Sequence, residues 1–292
     1  MAKKHQEYQF IDPFSDFAFK RLFGSENSKP ILKSFLNELF SGKRIIQEIE
    51  YDQNEYPGEI REEGGIILDV VCTDDKGSKF LIEIQRARAE NFKDRTILYA
   101  SRMISEQCPK GDRKVWNYKL KEVYLIALLE NFTISHHQNL DYLHNINLIN
   151  RKTGEIFYEK LSYTYIELSK FVKTADELTT GLDKWLYALK NLTTFQERPK
   201  ILDSAEFEHL FNLAQYTNLS KEERNMYRHR QEGLWTRQNL MSYARKEGKT
   251  EGKLEGKLEG KLEVVKKLKT KNFTVQQISE LTDLSIEEIE KL

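Results

Sequence analysis

The sequence predicts an α/β fold with a helical C-terminal extension, and three observations carry that expectation. Two short apolar runs, "GIILDVVCT" and "SKFLIEIQ", flank a "DDKG" turn and read as paired strands. The run "EVYLIALLE" at 122–130 is nearly all apolar, as a strand buried on both faces of a sheet would be, so it belongs near the sheet centre. Helical periodicity surrounds these strands, and from 169 to about 246 the chain reads as helical and amphipathic.

The elements follow in order. "DPFSDFAFKRLFG" (12–24) is a helix entered through Asp12-Pro13 or Ser15 and closed by Gly24, with Phe14, Phe17, Ala18 and Leu22 on one face. "NSKPILKSFLNELFSG" (27–42) is a second helix ending at Gly42. Residues 45–56 read as extended, 89–108 as a long helix, and 144–168 as strands about a turn at Lys152 to Gly154. A four-residue repeat, "EGKTEGKLEGKLEGKLE", fills 247–263, and the last segment reads as three short helices. The expected divisions are therefore 1–168, 169–246, 247–263 and 264–292.

Bulk properties set bounds. The 292 residues carry 46 basic and 46 acidic side chains, which argues against a wholly basic nucleic-acid binder while leaving room for local patches. No apolar run approaches the ~18 residues of a membrane span, and "MAKKHQEYQF" has no signal-peptide core. Two cysteines, Cys72 and Cys108, suit a reducing compartment, so a soluble cytoplasmic protein with no membrane partner is expected. The six histidines show no ligand spacing, and His136-His137 reads as loop.

The hairpin holds the chemically informative residues. If Asp75-Lys76-Gly77 is a three-residue loop with Gly77 in the left-handed position, Asp74 pairs with Ser78. Asp69 then falls opposite Glu83, with Gln85 two residues further on the same face. A one-residue slip would separate the two acids onto opposite faces. Two carboxylates held this close repel unless one takes a proton or a cation sits between them. A hard cation such as Mg²⁺ or Mn²⁺ suits carboxylate oxygens. The plainer alternative is a charged solvent face on an edge hairpin, which Leu81 and Ile67 on that same face oppose.

An Asp, a hairpin, Glu-x-Gln and then a basic helix together resemble the PD-(D/E)XK nuclease superfamily. The fit is closest to its transposase-like branch, the recombination-promoting nucleases. "DFAFKRLFG", "LDVVCTDDKGSKFLIEIQ" and "RTILYASRM" carry the resemblance over roughly residues 10–131. It implies a restriction-endonuclease-like core sheet flanked by helices within 1–168, and metal-dependent hydrolysis of DNA phosphodiester bonds. Asp69 and Glu83 would bind Mg²⁺ (or Mn²⁺), with the carbonyl of Ile84 as a third ligand. Gln85 stands where the superfamily usually has Lys; a neutral amide orients water or phosphate only by hydrogen bonds. Recombination, mobile-element or phage-defence roles all fit this resemblance. A catalytically degenerate, DNA-binding or toxin-antitoxin-like regulator is the alternative.

Asp16 and Lys20, four apart on the first helix, are an accessory pair: Asp16 for the metal shell and Lys20 for a phosphate, or else an ordinary surface ion pair. From Arg86 to Lys121 ten basic residues outnumber four acidic ones, and Arg86, Arg95, Tyr99 and Arg102 are the expected nucleic-acid contacts. The plainer alternative for such a run is a solvated helix face. In the repeat, each letter forms its own helical stripe, while glycines 248, 252, 256 and 260 each cost about 1 kcal/mol relative to Ala. A flexible linker and a partner-stabilised helix both fit; the second would make a homo-oligomer through the C-terminal helices. The final segment has helix-turn-helix rhythm, but its acids (280, 283, 287, 288, 290) against Lys291 favour protein over DNA contacts.

Overall fold

The computed structural model describes residues 9–52, 55–56, 66–67, 69–108, 117–135 and 138–291. Leu68, the Ile67 side chain, Lys110, Arg113, Lys114 and the His136-His137 pair lie outside the described residues.

Helix α1 (Asp16–Phe23) starts where Ser15 accepts the N–H of Ala18, so Ser15 and not Asp12-Pro13 is the cap. It ends at Gly24, where a Cβ would sit 3.1 Å from Val70 Cγ2; the missing side chain lets α1 lie close on the sheet. Helix α2 (Lys29–Phe40) has proline in its first turn and ends at Ser41 and Gly42, both at positive φ. The strands are β1 (Ile49–Tyr51), β2 (Glu55–Tyr56), β3 (Ile66–Ile67), β4 (Val70–Asp74) and β5 (Lys79–Gln85). Helix α3 (Phe92–Ser105), β6 (Val123–Leu129), β7 (Leu143–Ile149) and β8 (Ile156–Glu167) follow. The region read as uniformly helical resolves into α4 (Gly181–Asn191) and α5 (Ala205–Ala214), separated by loops and short 3-10 turns, before α6 (Lys221–Thr270).

The six-stranded sheet has the order β1-β4-β5-β6-β8-β7. β6 is parallel to both β5 and β8, and its residues from Leu125 to Leu129 are fully buried, which explains its apolar composition. β1, β4 and β5 are antiparallel, as are β7 and β8; β2 and β3 pair separately. One sheet face, through Val70, Cys72, Phe80, Ile82, Ile126, Leu128 and Ile166, packs with α1, α2, α4 and α5 around Trp185. The other, through Val71, Leu81, Leu125, Ala127, Tyr163 and Tyr165, is covered by Phe92, Ala100 and Met103 of α3. Each fully buried large apolar side chain contributes about 1.5–3 kcal/mol.

Packing divides the chain into two units, 1–228 and 229–292. In the first, Tyr227 accepts the backbone N–H of Asp12 at 2.9 Å, and Arg21 pairs with Glu223. The second has a small core of Val265, Ile278, Leu284 and Ile289, with capping boxes at Thr274/Gln277 and Ser285/Glu288 starting α7 (Val275–Thr282) and α8 (Ile286–Glu290). The expected first of three short helices, "VVKKLKTK", is instead the end of α6, because nothing between the repeat and Thr270 breaks the helix. The repeat is helical throughout. A Cβ on any of its glycines would meet nothing within 4 Å, and Leu254 and Leu258 are exposed. Among the described residues, no helix is long and apolar enough to cross a membrane.

Candidate active site

The β4–β5 turn fixes the register. Gly77 takes φ +82°, Asp74 N–H donates to the Ser78 carbonyl at 3.0 Å, and Asp74 Oδ1 accepts the N–H groups of Lys76 and Ser78. Thr73, Cys72, Val71 and Val70 then face Lys79, Phe80, Leu81 and Ile82, where the ladder ends, and Asp69 and Glu83 are the next residues on each side. Hydrogen-bonded pairs alternate along an antiparallel ladder, so counting from Asp74–Ser78 makes the Asp69–Glu83 position a close, non-hydrogen-bonded one.

Asp69 stands in a bend at the end of the ladder, and side-chain hydrogen bonds tie it to β5. Asp69 Oδ2 accepts the Ile84 N–H at 2.9 Å, while Glu83 Oε1 lies 3.4 Å from the Asp69 N–H. A strand residue's N–H and C=O project to the same edge, so the Ile84 carbonyl also faces the Asp69 side. The Gln85 carbonyl points the other way, accepting Glu130 N–H at 3.0 Å.

Glu83 is 4% exposed. Burial raises its pKa, and the nearby charge of Asp69 raises it further, against Arg95, which lowers it. Burial also raises Asp69, opposed by the Ile84 N–H, Lys20, Arg95 and a hydrogen bond with Glu83. The Ile84 N–H favours charge on Asp69, while burial and then the Asp69 charge push Glu83 up to about 8, so Glu83 is the group of the pair that holds a proton more readily.

Several of the expected residues converge here. Arg95 acts electrostatically on both acids, donates to Gln85 Oε1, and stacks 5.3 Å and 5.8 Å from the Phe92 and Tyr99 ring centroids. Gln85 Nε2 donates to the Ala87 carbonyl at 2.7 Å, so both ends of its amide have partners. The Tyr99 pKa is raised by burial and then by Glu83. Lys20 reaches the field of Asp69 while pairing with Asp16 at 3.2 Å on a half-exposed helix face.

Two expected contacts have other partners. Arg86 bonds Asp12 Oδ2 and lies 2.8 Å from Glu130 Oε2, and Arg102 pairs with Glu106 at 3.3 Å. The part played by Asp12 and Glu130 was missed from sequence, since only the fold brings the start of α1, the end of β5 and the end of β6 together. The single available signal was an acid immediately before Pro13.

The donor set suits a hard divalent cation. A buried Glu83 and a partly buried Asp69 lie beside each other, both with raised pKa values, a cost that a cation removes, and a backbone carbonyl lies on the same side. Among the described residues no cluster of three or more His, Cys, Asp or Glu side chains forms, so Asp16 does not complete a three-acid set.

A mixed sheet flanked by helices, with an acid pair on an antiparallel hairpin beside a basic helix, is the architecture of the PD-(D/E)XK nuclease class. The family model for PD-(D/E)XK nuclease family transposases matches residues 13–244, and the chain belongs to that family. The match runs well beyond the segment carrying the resemblance in sequence, through α4, α5 and much of α6. No curated protein and no solved structure matches the chain.

Proposed function

We propose that the protein is a metal-dependent DNA endonuclease serving recombination, mobile-element movement or defence against phage. The observation that carries this is the pairing of buried Glu83 with partly buried Asp69, whose electrostatic cost is otherwise unexplained. Mg²⁺ (or Mn²⁺), held by Asp69, Glu83 and the Ile84 carbonyl, would polarise the scissile phosphate and lower the pKa of water.

The chain's own groups do the rest. Glu83 would hold the cation as a carboxylate, giving up the proton that burial favours. Arg95, anchored by Gln85, supplies the fixed positive charge that Lys supplies elsewhere in the superfamily, and it faces the charge developing on the phosphate. Lys20 neutralises the Asp69 side and meets a phosphate oxygen, with Asp16 orienting it. Tyr99 and Arg102 extend the basic strip along α3, and Arg86 fixes the start of α1 through Asp12.

A homodimer through α6 would set two nuclease units at the same end of a parallel helix pair. The exposed Leu254 and Leu258 and the unobstructed repeat glycines support it. A second reading, a DNA-binding regulator without catalysis, draws on one observation: Gln85 replaces Lys and its amide is engaged internally.

Incubating supercoiled plasmid with the purified protein, with and without Mg²⁺, separates the two. Nicking or linearisation only with the cation is expected. Tight DNA binding with no cutting under any divalent cation would instead establish the regulator.

A further inference from the structure

The two edges of the sheet differ in how they meet solvent. Strand β1 is three residues long, carries Glu50 and is bracketed by Glu48 and Asp52. Charges of this kind keep an edge from pairing with another chain. Strand β7, at the opposite edge, is seven residues long. The stretch 142–150, "YLHNINLIN", holds no Asp, Glu, Lys, Arg or Pro. Ile146, Leu148 and Ile149 are exposed on it. The extra residues of its irregular pairing lie in β8, since Asn147 faces Ser162 and the next residue, Leu148, already faces Tyr158. Strand β7 itself therefore runs unbroken from Leu143 to Ile149.

Backbone hydrogen bonds fix which residues of β7 point outward. The Tyr142 carbonyl accepts the Glu167 N–H at 2.7 Å, and the Asn150 N–H donates to the Glu155 carbonyl at 2.9 Å. The even-numbered residues between them thus direct their backbone groups to β8, and Leu143, Asn145, Asn147 and Ile149 direct theirs away from it. Among the described residues no strand pairs with that outer side. A second β7 laid antiparallel along it, with a two-fold axis at Ile146, sets 143 against 149 and 145 against 147, so every outward residue meets an outward residue. In the same register Asp141 falls opposite Arg151. Both are exposed, and neither has an ion-pair partner among the described residues. Axes at 145 or 147 also match outward residues, but they leave Asp141 opposite Ile149 or Thr153.

We infer that β7 is an interface between two copies of this chain, paired antiparallel about Ile146 so that the two six-stranded sheets become one. The occupant is a second copy because the edge is complementary to itself. Ile146 meets Ile146 of the partner subunit, Leu143 meets Ile149 of the partner subunit, and the Asp141–Arg151 pair forms twice by symmetry. The contact would satisfy the open backbone groups of β7 and cover its exposed apolar side chains. It lies wholly within the unit formed by 1–228 and uses neither the acid pair nor the repeat of α6. It therefore stands independently of the nuclease reading and of the α6 pairing.

The test is disulfide cross-linking in the full-length chain carrying Cys108→Ser, which leaves only the buried Cys72. At the axis the two copies of residue 146 form a non-hydrogen-bonded pair with Cα atoms about 4.5 Å apart, within disulfide reach. Ile146→Cys should therefore give a covalent dimer on mild oxidation. Leu148→Cys should not, because its two copies stand four residues apart along the strands, about 13 Å. In the Ile146→Cys chain, Asp141→Arg alone or Arg151→Asp alone should lower the cross-linked fraction about fivefold, the upper end for an exposed ion pair, and the two together should restore it. No cross-link at 146, equal cross-linking at 148, or a double charge swap that fails to recover would each overturn the interface. The cross-link reports on β7 whether or not the C-terminal helices also associate.

Discussion

Arg95 donates through Nη2 to Gln85 Oε1, so the amide at the position usually held by lysine holds a guanidinium beside the acid pair. The basic group comes from α3 and not from β5, and the expectations below depend on that exchange.

Gln85→Lys is expected to damage the protein although it restores the commoner residue. It removes the acceptor for Arg95 and sets two cations together. Cutting should fall by about tenfold or more, comparable to losing one charge-assisted hydrogen bond. Gln85→Ala should lower turnover while leaving metal affinity near the parent value. Calorimetry in which Gln85→Ala loses metal as fully as Asp69→Ala would refute this division of roles.

Asp69→Asn and Glu83→Gln should each lower metal affinity by more than about 100-fold, beyond what losing an outer-shell partner costs, and abolish cutting. The metal-free Glu83→Gln protein should melt at or above the parent temperature, because a neutral amide replaces a carboxyl that burial penalises when charged. Parent-like cutting by both variants would dismiss the site.

The pH response has a definite sign. Folding raises the Glu83 pKa above its unfolded value, so its contribution to stability is complete below the ordinary carboxylate range and is lost as pH rises through the raised value. Metal-free protein should therefore lose melting temperature toward alkaline pH, and Glu83→Gln should flatten that decline. Mg²⁺ binding should release protons, which calorimetry in buffers of different ionisation enthalpy measures. Proton-neutral binding across the range would contradict the assignment of the proton to Glu83.

Arg102→Ala should weaken binding about equally for unrelated DNA sequences and reduce the salt slope by about 0.9, one phosphate contact. Its ion pair with Glu106 is a surface i,i+4 pair, easily exchanged for a phosphate. An unchanged slope would show that Arg102 meets no phosphate.

A chain ending at Arg245 should be more monomeric than the full protein and should lose paired double-strand cuts before single nicks. In a parallel pair along Leu254, Leu258 and Leu262, the glutamate flank of one helix meets the lysine flank of the other. Equal mass by light scattering with and without residues 246–292 would rule out the α6 dimer.

What the sequence determined by itself was local. The turn chemistry of Asp74 to Ser78 set the hairpin register, and a side-chain period of two puts Asp69 and Glu83 on one face just past its end. The apolar run of β6 announced a strand at the sheet centre, and its parallel pairing to β5 and β8 came only with the fold. Only the tertiary structure decided what surrounds the pair. Arg86 looked like a phosphate ligand, but packing brings Asp12 and Glu130 to it from two other elements. Gln85 looked like a loss of charge until α3 set Arg95 against it. Ion pairs and pKa values depend on distances between segments far apart in the chain and on the water excluded between them, and the order of residues does not encode either until the sheet and its helices have closed.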